Sequence, residues 1–193
     1  DKENIYYYIT IMNENYAQPP MPEGIENDIL QGMYLFKKAQ KKQKCHVQLL
    51  GSGCILREVI AASCLLEEDY GISADVWSVT SFTELSRQGQ SIMRQNRLQP
   101  KKKPQLTFVE KTLYDQESPV IAATDYICMH ADQIREFIKA PYVVLGTDGF
   151  GRSDTREALR AFFEVDAHWI AYTALETLAR EGQLDITIVE DAM

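Results

Sequence analysis

Val47-Gln-Leu-Leu50 is a short β-prone run that stops on Gly51-Ser-Gly53. After the glycines, Ile55, Val59, Ala62 and Leu66 return every three or four positions, with Leu56 and Ile60 beside them. An extended segment that turns through glycines into a 3.6-residue period, carried to about Asp69, is the opening of a βα unit. The unit repeats downstream. Asp75-Val-Trp-Ser-Val79 leads into a helix from about Thr83 to Arg97, and Pro100 with Lys101 to Lys103 marks a surface loop. Val120-Ile-Ala-Ala123 precedes a helix through Ile134 and Phe137, and Tyr142-Val-Val-Leu145 runs into the turn loop Gly146-Thr-Asp-Gly-Phe-Gly151. Strands separated by helices predict right-handed crossovers and a mainly parallel sheet covered on both faces, an α/β fold in three layers, α/β/α.

Outward from this centre the pattern changes. Asp154 and Glu157 resemble a capping box for a helix from Thr155 to Phe163, and Ile170, Ala174, Leu175 and Leu178 stripe a last helix that stops near Gly182. Upstream, Gly32-Met-Tyr-Leu-Phe-Lys37 reads as a short strand. Lys37, Lys38, Lys41, Lys42 and Lys44 follow it and lie between two strand-like runs, where a solvated turn is preferred over a patch for acidic ligands. Ile5-Tyr-Tyr-Tyr-Ile-Thr-Ile11 puts Ile5, Tyr7, Ile9 and Ile11 on one face and Tyr6, Tyr8 and Thr10 on the other. A strand so apolar on both faces belongs inside a sheet, yet nothing precedes it to pair with and Asp1 is not a methionine. The expectation is a piece of a longer protein. Gln18-Pro-Pro-Met-Pro-Glu-Gly24 is a stiff connector, so residues 1–20 are read as an arm ending a preceding domain plus a linker, and residues 21–193 as the α/β domain.

The chain's 193 residues are 45% hydrophobic and 25% charged, ordinary for a globular domain with a core of its own. Twenty Lys and Arg against 28 Asp and Glu give a net charge of -8, which opposes attraction to nucleic acid or to anionic membranes. Neither partner is expected. Cys45, Cys54, Cys64 and Cys128 form no C-x-x-C pair, and with only His46, His130 and His168 they make no zinc framework. Cys45 precedes a strand, and Cys54 and Cys64 fall in an apolar helix-like stretch, which favours reduced, buried thiols and a cytoplasmic location. The sequence as it stands does not open on a basic n-region with an apolar h-region, and no apolar run in it approaches the ~18 residues of a membrane helix.

Candidate chemistry is sparse. Gly51, Ser52 and Gly53 occupy the turn where a nucleotide fold places G-x-G-x-x-G, but Leu56 stands at the third glycine position. The second strand ends Val79-Thr-Ser81, with its first acid only at Glu84, so an anion turn is set against the plainer reading of a tight strand-to-helix bend. Gly149, Phe150, Gly151 and Arg152 could hold an anion with the help of Arg152. The preferred reading is a structural or interface loop in which Phe150 plugs a gap or a contact. Ser153, His168 and Asp148 can be written as a triad, but nothing places them together and no G-x-S-x-G elbow exists. His130 and His168 fall on helices as packed or surface residues rather than ligands.

Five strings carry a resemblance: Asn13-Glu-Asn-Tyr16, Met21-Pro-Glu-Gly24, Val47-Gln-Leu-Leu-Gly-Ser-Gly53, Ser78-Val-Thr-Ser-Phe-Thr-Glu-Leu85 and Leu145-Gly-Thr-Asp-Gly-Phe-Gly-Arg-Ser-Asp154. Together with Glu164-Val-Asp-Ala167 they resemble the C-terminal part of the homodimeric bacterial pyruvate dehydrogenases, decarboxylating component, across essentially the whole chain. The pattern Gly146 to Ser153 is similar, more loosely, to the last domain of transketolases. The resemblance implies a thiamine-diphosphate enzyme of three α/β domains that decarboxylates pyruvate and acetylates the lipoyl group of its dihydrolipoamide acetyltransferase partner. It implies that this part is a noncatalytic support and dimerisation domain, with a five-stranded sheet containing one antiparallel strand, for which Gly32 to Lys37 is suited. Thiamine diphosphate and magnesium would belong to the whole enzyme and not to this part, which lacks the family's G-D-G motif. No catalytic, cofactor or metal residue carries over onto any position, and the chain alone is expected to be inactive. In the family the chain also runs past the point matching Met193. The alternatives are the same domain of a transketolase or deoxyxylulose phosphate synthase, and a free-standing α/β module for a nucleotide or other anion.

Overall fold

The protein is described by a computed structural model covering residues 4–7, 9, 11, 15–17, 19–40, 43–115 and 117–192. Its strands are β1 (Met33–Lys37), β2 (His46–Ser52), β3 (Ser73–Val79), β4 (Val120–Ala123) and β5 (Tyr142–Leu145). The α-helices are α1 (Glu26–Gln31), α2 (Leu56–Asp69), α3 (Phe82–Leu98), α4 (Phe108–Thr112), α5 (Cys128–Asp132), α6 (Arg156–Phe162), α7 (Ala167–Arg180) and α8 (Ile186–Asp191). Short 3-10 turns precede α2 at Gly53–Ile55 and follow α5 at Arg135–Phe137.

The five strands form one sheet in the order β1-β3-β2-β4-β5, parallel except for β1, which runs antiparallel to β3. The mostly parallel sheet with its odd strand at Met33–Lys37 is therefore as expected. Side chains alternate across it, as a strand's two-residue period requires. Val47, Leu49, Ala74, Val76, Ile121 and Ala123 enter a core closed by α2, α7 and α8. Leu50, Val79, Val120, Ala122 and Tyr142 enter a second core closed by α3, α4 and α5. Leu49 and Leu50 have no exposed surface, and burying each stabilises the fold by about 2 kcal/mol.

Local chemistry sets the helix ends. Ser81 opens α3 by accepting the Glu84 N–H at 3.1 Å, and Asp166 opens α7 by accepting the Trp169 N–H at 3.0 Å. The capping box read at Asp154 and Glu157 is not formed. Thr155 is the cap, its hydroxyl accepting the Ala158 N–H at 3.2 Å, while Asp154 accepts from the Thr155 N–H. With the cap one residue later, the reciprocal position falls on Ala158, which has no side-chain acceptor. A capping box does form at Thr107 and Glu110, opening α4.

The strand expected at Ile5–Ile11, read as an arm belonging to a preceding domain, is not formed among its described residues. Its described residues, Ile5, Tyr6, Tyr7, Ile9 and Ile11, carry no strand and lie exposed, Tyr6 by 91%. Neither edge of the sheet, β1 or β5, pairs with them. Tyr8 and Thr10, and likewise Asn13, Glu14, Gln18, Lys41, Lys42 and Met193, lie outside the described residues.

Candidate functional site

The two glycine turns singled out in sequence come together. Both follow parallel strands, and β2 sits between β3 on one side and β4 on the other. The chain's crossovers thus diverge at the carboxyl ends of β2 and β4, the position where open α/β sheets form a crevice. Gly51 lets α2 approach: a Cβ there would stand 2.8 Å from Leu56 Cα. Gly53 has φ +55°, in the left-handed region, and faces the carboxylate of Asp125.

The segment after β4 joins the two turns. Ser52 Oγ donates to Thr124 Oγ1 at 2.9 Å, and Cys54 Sγ donates to Asp125 Oδ2 at 3.3 Å. From the other side, Thr147 Oγ1 donates to Asp125 O at 2.8 Å and the Thr147 N–H to Tyr126 O at 2.9 Å. Gly146 packs so closely that a Cβ would lie 2.7 Å from the Cys128 nitrogen, and Asp148 accepts the Cys128 N–H at 3.2 Å. Between them lies a cleft of about 280 Å³ lined by Cys54, Asp125, Thr147, Gly149 to Arg152, Arg156 and Arg160.

Charge in the cleft is largely committed. Arg160 donates to Glu58 Oε1 at 2.8 Å and to the Tyr16 hydroxyl at 3.4 Å, and Glu58 also accepts the Ala167 N–H. The Arg152 guanidinium stacks 4.0 Å from the Phe162 ring centroid. Burial, then the negative charge of Asp125, raises the Cys54 thiol above its ordinary range, so it is no ready thiolate.

Phe150 plugs no gap within the chain. It is 94% exposed on a loop whose Gly149 has φ +97°, and the reading in which its ring fills the interior is overturned. Tyr126, Ile127, Met129 and Phe162, all exposed, lie on the segments that follow β4 and β5 at the same end of the sheet. Ser153, His168 and Asp148 do not assemble. Asp148 is engaged at the Cys128 nitrogen, and His168 lines a separate groove on α7 with Asp69 and Tyr172. Among the described lysines of the basic run, Lys37 pairs with Glu67, while Lys38 and Lys44 are exposed.

One polar constellation escaped the sequence reading. Across the amino ends of β2 and β3, His46 Nδ1 lies 2.8 Å from Ser73 Oγ, and Gln48 Nε2 lies 3.1 Å from His46 Nε2. The Trp77 indole N–H donates to Gln48 Oε1 at 2.6 Å, while Asp75 accepts the Ala39 N–H at 2.8 Å and stands 3.4 Å from His46 Nε2. The signal was there as polar residues at alternate positions, 46 and 48, 73 and 75, on two paired strands. Ser73 donates its own proton to Cys45 O, so it is held as a structural hydroxyl rather than a nucleophile.

The profile of the Transketolase-like TK C-terminal domain matches residues 32–166, from the turn before β1 to the cap of α7. The chain belongs to this family. Across its full length, this transketolase-like domain is 54% identical over 194 residues to the pyruvate dehydrogenase E1 component of Pseudomonas aeruginosa, of which it covers 22%. It is 49% identical over 193 residues to the pyruvate dehydrogenase E1 component of Escherichia coli K12, again with all of this chain and 21% of the relative. The chain thus spans about a fifth of the length of the curated relatives it matches. A solved transketolase from Pichia stipitis, in complex with sedoheptulose-7-phosphate, superposes with a TM-score of 0.56 at 18% identity, covering 81% of this chain and 19% of that one. At that identity the likeness is one of fold.

The described residues do not fit a magnesium-bound diphosphate. Magnesium takes a near-octahedral set of oxygen ligands, whereas the cleft offers the single carboxylate of Asp125, already accepting from Cys54. No group of three or more His, Cys, Asp or Glu among the described residues could hold a metal. Nor is any described helix long and apolar enough to cross a membrane.

Proposed function

We propose that this chain is the noncatalytic support and dimerisation domain at the carboxyl end of a pyruvate dehydrogenase E1 component. The whole protein, a cytoplasmic homodimer, decarboxylates pyruvate with thiamine diphosphate and magnesium and passes the acetyl group to the lipoyl group of a dihydrolipoamide acetyltransferase. Residues 1–20 serve as the arm from the preceding domain, and residues 21–193 are the supporting domain. Whole-length identity of 54% and 49% to proteins of that name supports the assignment to the enzyme.

The role of the domain rests on one observation, the loop Gly149, Phe150, Gly151 and Arg152. Its base is anchored by Gly146 and Asp148 against the segment after β4, yet it holds a large aromatic ring almost wholly in water. An exposed ring on an anchored loop, at the same end of the sheet as the exposed Met129 and Phe162, has the character of an interface anchor. Its occupant is the second copy of the enzyme. Gly51, Ser52 and Gly53 then serve the close approach of α2 and hold no anion.

The experiment is Phe150→Ala in the full-length enzyme, with the dimer dissociation constant from sedimentation and steady-state kinetics with pyruvate. Weaker association, by about tenfold or more, with an unchanged Michaelis constant for the assembled enzyme is expected. Unchanged association with a raised Michaelis constant would make the loop a substrate element.

A further inference from the structure

Lys37 ends β1 just beyond an irregularity in its pairing, where the register against β3 shifts between Leu35 and Lys37. A bulge re-aims the side chains beside it, and Lys37 reaches α2. Its Nζ donates to Ser63 Oγ at 3.1 Å and to Glu67 Oε2 at 3.2 Å, and it lies 3.9 Å from Cys64 Sγ. Ser63 has no exposed surface and gives its own proton to Ile60 O. The Lys37 and Glu67 side chains are each about a quarter exposed, and Glu67 Oε1 is buried without a hydrogen-bond partner. A thiol, a primary amine and a carboxylate with unused acceptor capacity therefore share one space between the edge strand and a helix. The other three cysteines face a carbonyl or a carboxylate instead: Cys45 at Gln183 O, Cys54 at Asp125 and Cys128 at Val144 O.

From this geometry we infer that Cys64 and Lys37 form an oxidation-dependent covalent cross-link, a sulfenamide between Sγ and Nζ, with a hydroperoxide as the oxidant. Hydrogen peroxide takes two electrons from the thiol sulfur, leaving a sulfenic acid and one water. Glu67, whose second oxygen is open, accepts a proton from the Lys37 ammonium. The freed amine attacks the sulfenic sulfur, the S–N bond forms as the S–O bond breaks, and the departing hydroxide leaves as a second water with one proton from nitrogen. Glu67 returns its proton to solvent. One thiol, one ammonium and one peroxide thus give one sulfenamide, two waters and one proton. Sulfenic acids condense with a backbone nitrogen in the same manner, and a lysine amine is the stronger nucleophile. The product ties β1 to α2, and two equivalents of a thiol reductant return the thiol and the amine while forming one disulfide of the reductant.

The test is mass spectrometry of the chain after hydrogen peroxide treatment. The expected intact mass is lower by two hydrogen atoms, with the peptides holding Lys37 and Cys64 recovered as one species, no tryptic cleavage after Lys37, and full reversal by dithiothreitol. Mapping of the joined peptides separates this product from a disulfide. Lys37→Arg keeps the cation beside Glu67 but removes the nucleophile, so Cys64 should then stop at its oxygen acids, and Cys64→Ser should abolish the species. In the cross-linked chain, hydrogen exchange at the amides of Tyr34 to Lys37 should slow by about tenfold or more relative to the reduced chain. Cys64 recovered as sulfinic or sulfonic acid with normal cleavage after Lys37, or recovered unoxidised, would overturn the assignment.

Discussion

At the scale of single residues, burial and then the carboxylate of Asp148 push the Cys128 thiol up to about 11. At pH 8 only ~0.1% of it is thiolate, against roughly a quarter of an ordinary cysteine. Iodoacetamide should therefore label Cys128 roughly two-hundredfold more slowly than a free thiol at that pH, and Asp148→Asn should speed the reaction while keeping the acceptor for the Cys128 N–H. Labelling of the parent at the rate of a free thiol would contradict the burial. Asp75 moves the other way. Burial acts to raise its carboxyl, but His46, the Ala39 N–H and Gln48 outweigh it and hold the group below its ordinary range. A depressed folded value means that Asp75 stabilises the fold above the unfolded value near 3.9 and loses that contribution as pH falls through the lower folded one. Urea midpoints between pH 6 and pH 3 should fall more steeply in the parent than in Asp75→Asn, the two converging at the acid end. Parallel curves would mean that the His46 network contributes nothing through ionisation. The alternating polar positions are visible in the sequence but their meeting is not, because His46 faces Ser73 only through the parallel register of β2 and β3.

At the scale of elements, what could be read ahead of the structure depended on length and on how many faces are buried. Val120–Ala123 and Tyr142–Leu145 were legible to the residue because each is a short apolar run with a proline, Pro119 or Pro141, before it and a polar or glycine residue, Thr124 or Gly146, after it. Helices α1, α4 and α8, of five or six residues, complete fewer than two turns and leave no period to detect. The Thr107-to-Glu110 spacing that opens α4 was present as a start signal without an apolar run behind it. The two glycine turns were each visible, but their meeting across Thr124 to Cys128 is a property of strand order and not of either motif. Helix α3 supplies a test of packing. A Cβ on Gly89 would stand 2.3 Å from Phe137 Cζ, and that ring is almost fully buried. Gly89→Ala should gain about 1 kcal/mol of helix propensity and lose about 1 to 3 kcal/mol to overpacking, giving a lower urea midpoint. Phe137→Leu in the same chain should recover part of the loss, whereas a raised midpoint for Gly89→Ala alone would show that the ring yields freely.

At the scale of the whole molecule, the charge of -8 and the lone carboxylate in an arginine-lined cleft set what this chain binds by itself. Calorimetric titration of the chain with thiamine diphosphate and magnesium is expected to give no micromolar binding, since the metal finds no oxygen cage and the general field is anionic. Micromolar binding would return the free-standing anion module to first place. The two ends of the sheet carry a different consequence. One edge is β1, antiparallel, broken in register after Leu35 and closed by a lysine turned toward α2; the other is β5, only four residues long. Long, flat, apolar edges recruit strands from other molecules, while bulges, inward charges and brevity forbid it. A concentrated solution of this chain should therefore resist fibre growth by sheet extension, leaving any self-association to the side chains of its loops.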